Sequence, residues 1–271
     1  MYEGTVTSAD GTTIAYTAWG AGNPIIIIDG ATASRATTPE NAATAELLAD
    51  DFLVINYDRR GRGESGDASP YAVEREFEDL AAIIEQAGGG RPATVFGWSS
   101  GGNLALNAAH SGVPIARLAL FEPNAVVDDG RPPLPADYVA RLEAAIADGR
   151  PGDAVALFMT AAVLMPDEMV TGMREADFWP GLEAIAHTIA YDGRQLGDTM
   201  AGRPLRAELW DRVDIPVLVM HGEGTWPFLA AAAQAIAQHL PTATLNPVPG
   251  ENHSTTPEVL ANALRAFTKE N

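Results

Sequence analysis

The stretch Ala93-Thr94-Val95-Phe96-Gly97-Trp98-Ser99-Ser100-Gly101-Gly102-Asn103 constrains this chain more than any other. A β-prone run from Thr94 to Phe96 breaks at Gly97, and after Gly101-Gly102 the residues Leu104-Ala105-Leu106 and Ala108-Ala109 read as helix. Strand, tight turn and helix therefore meet at Gly97-x-Ser99-x-Gly101. Such a turn forces its central residue into a strained conformation, and the flanking glycines remove Cβ atoms that would strike the neighbouring strand and helix. Ser99 is expected at the helix N-terminus, where free backbone N–H groups and the helix dipole favour a developing negative charge. Glycine and serine also build ordinary turns. The placement between strand and helix is what makes Ser99 a candidate nucleophile.

Length allows one large α/β domain with an inserted subdomain, since the chain has 271 residues. The acidic excess, 36 Asp and Glu against 17 Lys and Arg, argues against nucleic acid or an anionic membrane as partner, because phosphates would be repelled. A solvated acidic surface accounts for it. The absence of cysteine excludes disulfides, thiolate metal sites and cysteine catalysis. Met1-Tyr2-Glu3-Gly4 does not open a signal peptide, and no apolar run approaches the roughly 20 residues of a membrane span. The cytoplasm is the expected location.

Taken in order, residues 3–8 and 12–19 alternate as two strands around Ala9-Asp10-Gly11. Ile25-Ile26-Ile27-Ile28 is a continuous β-branched run suited to a strand buried on both faces of a parallel sheet. It ends in Asp29-Gly30-Ala31, and a helix is expected over 40–50. The strand Phe52–Tyr57 leads into Asp58-Arg59-Arg60-Gly61-Arg62-Gly63-Glu64-Ser65. The glycine spacing of that loop is wrong for a phosphate-binding P-loop and no Gly-Lys-Ser/Thr follows, so it reads as structural. A helix over 71–87 stops at Gly88-Gly89-Gly90, and the strand Ala116–Phe121 ends at Glu122-Pro123.

Between about 124 and 211 helical periodicity dominates (136–148, 152–164, 166–176 and 181–190), after the stiff connector Arg131-Pro132-Pro133-Leu134-Pro135. Strand 215–220, helix 227–239, the short strand Thr242–Asn246 and helix 257–268 complete the chain. Alternating strands and helices imply a mainly parallel sheet covered on both faces. The domain reading is a core of residues 1–123 and 212–271, with 124–211 inserted as a helical cap over the strand carboxyl ends, where ligands bind in such sheets.

The serine-centred turn and the Asp58–Ser65 loop resemble those of the α/β-hydrolase family, and the likeness extends over nearly the whole chain. Membership implies an α/β-hydrolase fold with an inserted helical cap. A serine hydroxyl needs a base, and of the five histidines His253, in the loop Pro249-Gly250-Glu251-Asn252-His253 before the last helix, occupies the family's position in the Ser…His order. His110 and His239 end helices, His187 lies in the cap region, and His221 follows a strand, to pack beneath the site. The resemblance implies that the backbone N–H groups of Ser100 and Ala31 hold the oxyanion. The family commonly has His-Gly where this chain has Asp29-Gly30, and an anionic Asp29 there needs a partner, for which Arg35 or Arg59 is at hand.

The third member of a triad, the carboxylate that orients the histidine, departs from the family pattern. Thr225 in Gly222-Glu223-Gly224-Thr225 stands where the aspartate belongs. Three readings stay open: Glu122 at the end of the preceding strand, which some family members use; Glu223 or another carboxylate; or no acid. Trp98 is either packing or a wall of the substrate pocket, and Asp29 is a second pocket candidate. Phe158, Met159, Met165, Met169, Met173, Phe178 and Trp179 are spaced as the cap's own core.

No residue cluster has metal-ligand spacing, and no cofactor is expected. The leading expectation is a cofactor-independent serine hydrolase of a small, fairly apolar ester or related acyl substrate, acting through an acyl-enzyme. The rivals are a lyase, cyclase or isomerase on the same scaffold, using Ser99 or Asp29, and a catalytically silent ligand-binding module. The sequence does not set the oligomeric state.

Overall fold

Ile25 to Ile28 are almost wholly inaccessible to solvent, and they alternate between two apolar clusters: Ile26 and Ile28 in one, Ile25 and Ile27 in the other. Burial on both faces is what a parallel sheet sandwiched by helices requires. In the computed structural model, which describes residues 1–269, this run forms β3 (Asn23–Ile28). It lies between β4 (Phe52–Tyr57) and β5 (Ala93–Trp98), both parallel to it. The hairpin of β1 (Tyr2–Thr7) and β2 (Thr13–Gly20) joins the β4 side antiparallel. On the other side follow β6 (Ile115–Phe121), β7 (Val217–Gly224) and β8 (Ala243–Glu251), all parallel. The sheet thus has eight strands in the order β1-β2-β4-β3-β5-β6-β7-β8.

One face is covered by α1 (Pro39–Leu48) and α10 (Pro257–Lys269), through Ala45, Leu48, Leu260, Leu264 and Phe267. The other is covered by α2 (Val73–Ala82), α3 (Ser100–Ser111) and α9 (Pro227–His239), through Leu80, Leu104, Ala232 and Ile236. Between β6 and β7 come α4 (Tyr138–Ala147), α5 (Pro151–Leu157), α6 (Asp167–Met173), α7 (Trp179–Ala184) and α8 (His187–Leu196). These helices enclose a third apolar cluster of their own, built on Tyr138, Leu142, Val155, Trp179 and Ile189.

Four elements differ from the sequence reading. The expected helices 71–87 and 152–164 each end in a π turn, Ile83–Ala87 and Phe158–Ala162. The expected helix 181–190 is two helices, α7 and α8, because a short turn at Ile185-Ala186 separates them without interrupting the apolar periodicity. The last strand runs to Glu251 despite Pro247 and Pro249, which β8 accommodates as an edge strand paired only with β7.

Among the Met and aromatic side chains of the helical segment, Met159 and Trp179 are buried in its cluster, whereas Met169 and Phe178 are exposed. Among the described residues, no helix is long and apolar enough to cross a membrane.

Candidate active site

The ladders of the central strands end in step. Ile28 pairs with Gly97, Trp98 with Phe121, and Phe121 with Met220. Beyond them the backbone N–H of Ser99 donates to the Phe121 carbonyl at 2.9 Å, and that of Glu122 to the Met220 carbonyl at 2.9 Å. Two adjacent strands therefore deliver Ser99 and Glu122 to the same rim of the sheet.

Ser99 has φ +55° and ψ −127°, a backbone conformation that a non-glycine residue adopts only when its surroundings force it. The two flanking glycines are the reason it can be held there. A Cβ on Gly97 would lie 2.5 Å from the Gly101 carbonyl oxygen, and one on Gly101 would lie 2.5 Å from that of Ile28. Helix α3 starts at Ser100, so the Ser100 N–H is among the first amides of that helix, which have no acceptor within it.

His253 lies in the turn after β8, where Asn252 and His253 both have positive φ. Its Nδ1 meets Glu122 Oε2 in a short contact. Glu122 is fully buried, itself at φ +47°, and its second oxygen, Oε1, accepts the Gly222 N–H at 2.9 Å. Both carboxylate oxygens are thus fixed. A carboxylate facing Nδ1 holds the ring proton on that nitrogen and leaves Nε2 as the acceptor. Of the three readings of the acid, the geometry brings Glu122 to the histidine. Glu223 is exposed, and the Thr225 hydroxyl is buried without a hydrogen-bond partner among the described residues.

Asp29 follows β3 and is buried, but not against an arginine. Its Oδ1 accepts from Thr38 Oγ1 at 3.0 Å and from Asn41 Nδ2 at 2.5 Å, and its Oδ2 from Asn56 Nδ2 at 3.1 Å. Burial pushes its carboxyl above the usual range, and the Asn56 and Thr38 donors offset this only in part. The expected partners are engaged elsewhere: Arg35 with Asp58 and Glu64, and Arg59 with Glu76 and Asp192. Small neutral donors satisfy Asp29 because they cost less to bury than a second charge.

The arginine-rich loop is structural in detail. Arg60 pairs with Asp79 and Asp10, and Arg62 with Asp192. Arg62 Nη1 also donates to the Gly30 carbonyl at 2.6 Å. In a trans peptide the carbonyl and the following N–H point opposite ways, so this bond directs the Ala31 N–H away from Arg62. Asp192, on α8, accepts from Ser100 Oγ at 2.7 Å, and Gln195 Nε2 donates to the Ser100 carbonyl at 2.7 Å. Burial works against an ionised Asp192, but the guanidinium groups of Arg59 and Arg62 outweigh it and hold the carboxyl below its usual range.

Sequence reasoning missed Asn124. Its side-chain amide donates to Ser99 Oγ at 3.0 Å, and its backbone exchanges two hydrogen bonds with the buried amide of Asn103, at 2.8 and 2.7 Å. The only sequence signal was position, two residues beyond Glu122.

Asp29, Ala31, Trp98, Ser99, Ser100 and His253 all line one cavity of about 410 Å³. Trp98 is both wall and packing: its ring lies 4.6 Å from that of Phe121 and 6.4 Å from the imidazole of His253. Tyr138, Phe158, Ile189 and Leu196 from the helical segment close the apolar side, with Phe228 and Leu229 of α9. The other four histidines do not line the cavity. His239 bonds the Leu209 carbonyl, His110 and His187 lie near Asp211 and Asp67, and His221 is buried beside Gly222. Among the described residues, no group of three His, Asp or Glu side chains is disposed to hold a metal ion.

Comparison with known proteins places the fold. An alpha/beta hydrolase of Sphaerobacter thermophilus DSM 20745 superposes with a TM-score of 0.86 at 47% identity, over 98% of this chain and 100% of that one. A non-heme chloroperoxidase of Streptomyces lividans is 29% identical, over 98% of this chain and 99% of the relative. A thermophilic esterase of Thermogutta terrifontis shares the fold at 23% identity, with a TM-score of 0.71 over 99% and 98% of the two chains. The model of the alpha/beta hydrolase family matches residues 30–263, and the chain belongs to that family.

Proposed function

We propose that the protein is a cofactor-independent serine hydrolase that cleaves a small, fairly apolar ester or related acyl compound through an acyl-enzyme. The observation that carries this reading is the contact of His253 Nδ1 with the buried Glu122, at the cavity that also holds the strained Ser99. Ser99 Oγ attacks the carbonyl carbon while His253 Nε2 takes its proton. Glu122 stabilises the imidazolium that forms and keeps the ring oriented. The N–H groups of Ser100 and Ala31 receive the oxyanion, with the Ala31 peptide aligned by Arg62. Collapse of the tetrahedral intermediate expels the alcohol, which takes the proton from His253. Water, activated by the same histidine, then releases the acid.

The Asn124 amide donates to Ser99 Oγ, which leaves the hydroxyl proton free to be directed elsewhere. In this reading residues 124–211 act as a cap, with α8 tied to the core through Asp192 and Gln195. The apolar wall formed by Phe158, Ile189 and Leu196 supports an apolar substrate body.

The test is intact-mass analysis after exposure to a fluorophosphonate probe, with Ser99→Ala as control. One adduct, mapped to Ser99, is the expected result. No adduct on folded protein sinks the reading. A second reading, a non-hydrolytic reaction on the same scaffold, draws on Asp29, a cavity-lining carboxyl held only by neutral donors. Turnover without any trapped acyl-enzyme would favour it.

A further inference from the structure

Four arginines of this protein are buried, and three of them neutralise carboxylates: Arg59 with Glu76 and Asp192, Arg60 with Asp79 and Asp10, Arg62 with Asp192. The fourth is Arg131. Only 7% exposed, it forms no ion pair with any described carboxylate. Its guanidinium is instead held by backbone carbonyls: Nε to Pro132 at 3.2 Å, Nη1 to Ala162 at 3.0 Å and Nη2 to Ala161 at 3.1 Å. It also rests 5.2 Å from the centroid of the Phe228 ring.

These contacts fix the position of the fork, but carbonyl dipoles and a ring face do not cancel a full charge. A guanidinium carries five N–H donors, so two remain after the three carbonyl bonds. Arg131 and Phe228 both line the cavity that contains Ser99 and His253. Burial lowers the Arg131 pKa from its ordinary value, the consequence of a desolvated cation with no anion beside it.

The other charges around that cavity do not supply the missing anion. Asp192 already faces Arg59 and Arg62, Asp29 is wrapped by Thr38, Asn41 and Asn56, and Glu40 is exposed to solvent. An uncompensated buried cation is costly unless something that binds there completes the pair. Guanidinium geometry matches a carboxylate better than any other small organic group.

We infer that Arg131 is the anchor for a free carboxylate on the substrate, so that the compounds this cavity takes are small esters or acyl derivatives that also bear one carboxylate. The apolar walls then hold the chain between the two ends. This refines the hydrolase reading by naming a substrate class, and it rests on that reading only in taking the Ser99 cavity as the substrate site.

The test uses two ligands on the same diacid chain, monomethyl adipate and dimethyl adipate, with the unreactive Ser99→Ala protein. Binding is followed by the fluorescence of Trp98 and Trp226, which line the cavity. The monoanion is expected to bind about 10- to 100-fold more tightly than the diester, the range of one charge-assisted bidentate contact. Adding Arg131→Gln should erase that preference, and Arg131→Lys should restore part of it.

Equal binding of the two adipates overturns the inference, and so does a preference that survives Arg131→Gln. If Arg131→Gln does not fold, the preference of the Ser99→Ala protein and its reduction by Arg131→Lys decide. Hydrolysis of the two esters by the unmutated protein is read separately. Tight binding of the monoanion without hydrolysis of either ester would end the hydrolase reading and leave the carboxylate site standing.

Discussion

Two buried carboxylates meet at the serine turn, and they are built for different work. Glu122 approaches from the end of β6 and Asp192 from α8, and both are out of solvent, at 0% and 3% exposure. Asp192 faces two guanidinium groups, cations that keep their charge at any pH a protein survives. Glu122 faces one imidazole, whose side chain is 27% exposed and which borders the cavity. A permanent ion pair can only hold structure. A carboxylate beside a histidine can stabilise a charge that comes and goes. The contrast teaches that burial and short contacts do not single out a candidate catalytic carboxylate, whereas the chemistry of its partner does.

The comparison breaks most visibly at the reacting end. Ser99→Ala is expected to lower ester turnover by on the order of 10⁴-fold or more, measured with a chromogenic short-chain ester. Glu122→Gln should cost about 10²- to 10⁴-fold in kcat with an unchanged circular dichroism spectrum, because the amide still accepts from Gly222 but no longer stabilises an imidazolium. Glu223→Gln should stay within about twofold on the same assay, since that side chain is exposed and His253 Nδ1 is taken by Glu122. Near-normal turnover in Glu122→Gln would remove the distinction drawn here.

Asp192→Asn tests the other side of the contrast through stability. It leaves Arg62 without a buried counter-charge and Arg59 with Glu76 alone, and should lower unfolding free energy by about 3–5 kcal/mol in urea titrations. The pH dependence has a definite sign. The Asp192 carboxyl sits below its ordinary value, so its contribution is complete above pH ~4 and is lost as pH falls through the depressed folded value. The gap between the two proteins should therefore be widest near neutrality and close in acid.

Asp29→Asn gives the smallest effect and the opposite sign. The Asp29 carboxyl is raised by burial, so what it contributes is present below pH ~4 and lost as pH climbs through the raised value. The amide variant should gain on the unmutated protein as pH rises toward 7, by about 1 kcal/mol or less. A variant that instead loses stability steadily with rising pH would place an unrecognised cation beside Asp29.

Much of the fold was legible because its signals are local. The Ile25–Ile28 run, the glycines around Ser99 and the helix 227–239 are each written within a single short stretch of chain, and the structure has them where the sequence puts them. The boundaries that slipped, at Ile185-Ala186 and at Pro247, are places where periodicity or residue preference does not register a tertiary constraint. The arginine loop was legible as structural, yet its partners were not. Asp29 looked as though it needed Arg35 or Arg59, and it is satisfied by Thr38, Asn41 and Asn56.

The sequence alone determined that a serine would sit strained between a strand and a helix, and that a histidine would follow the last strand, because both depend on turn geometry and chain order. Tertiary structure decided which carboxylate meets that histidine. Glu122 and His253 are 131 residues apart, and only the parallel register of β6, β7 and β8 brings them together. Tertiary structure likewise decided that Asn124 reaches Ser99 and that Arg131 lines the cavity without an acidic partner among the described residues. A local pattern fixes how one side chain is presented. Whether a buried charge is answered depends on every element that closes over it, and no local pattern carries that information.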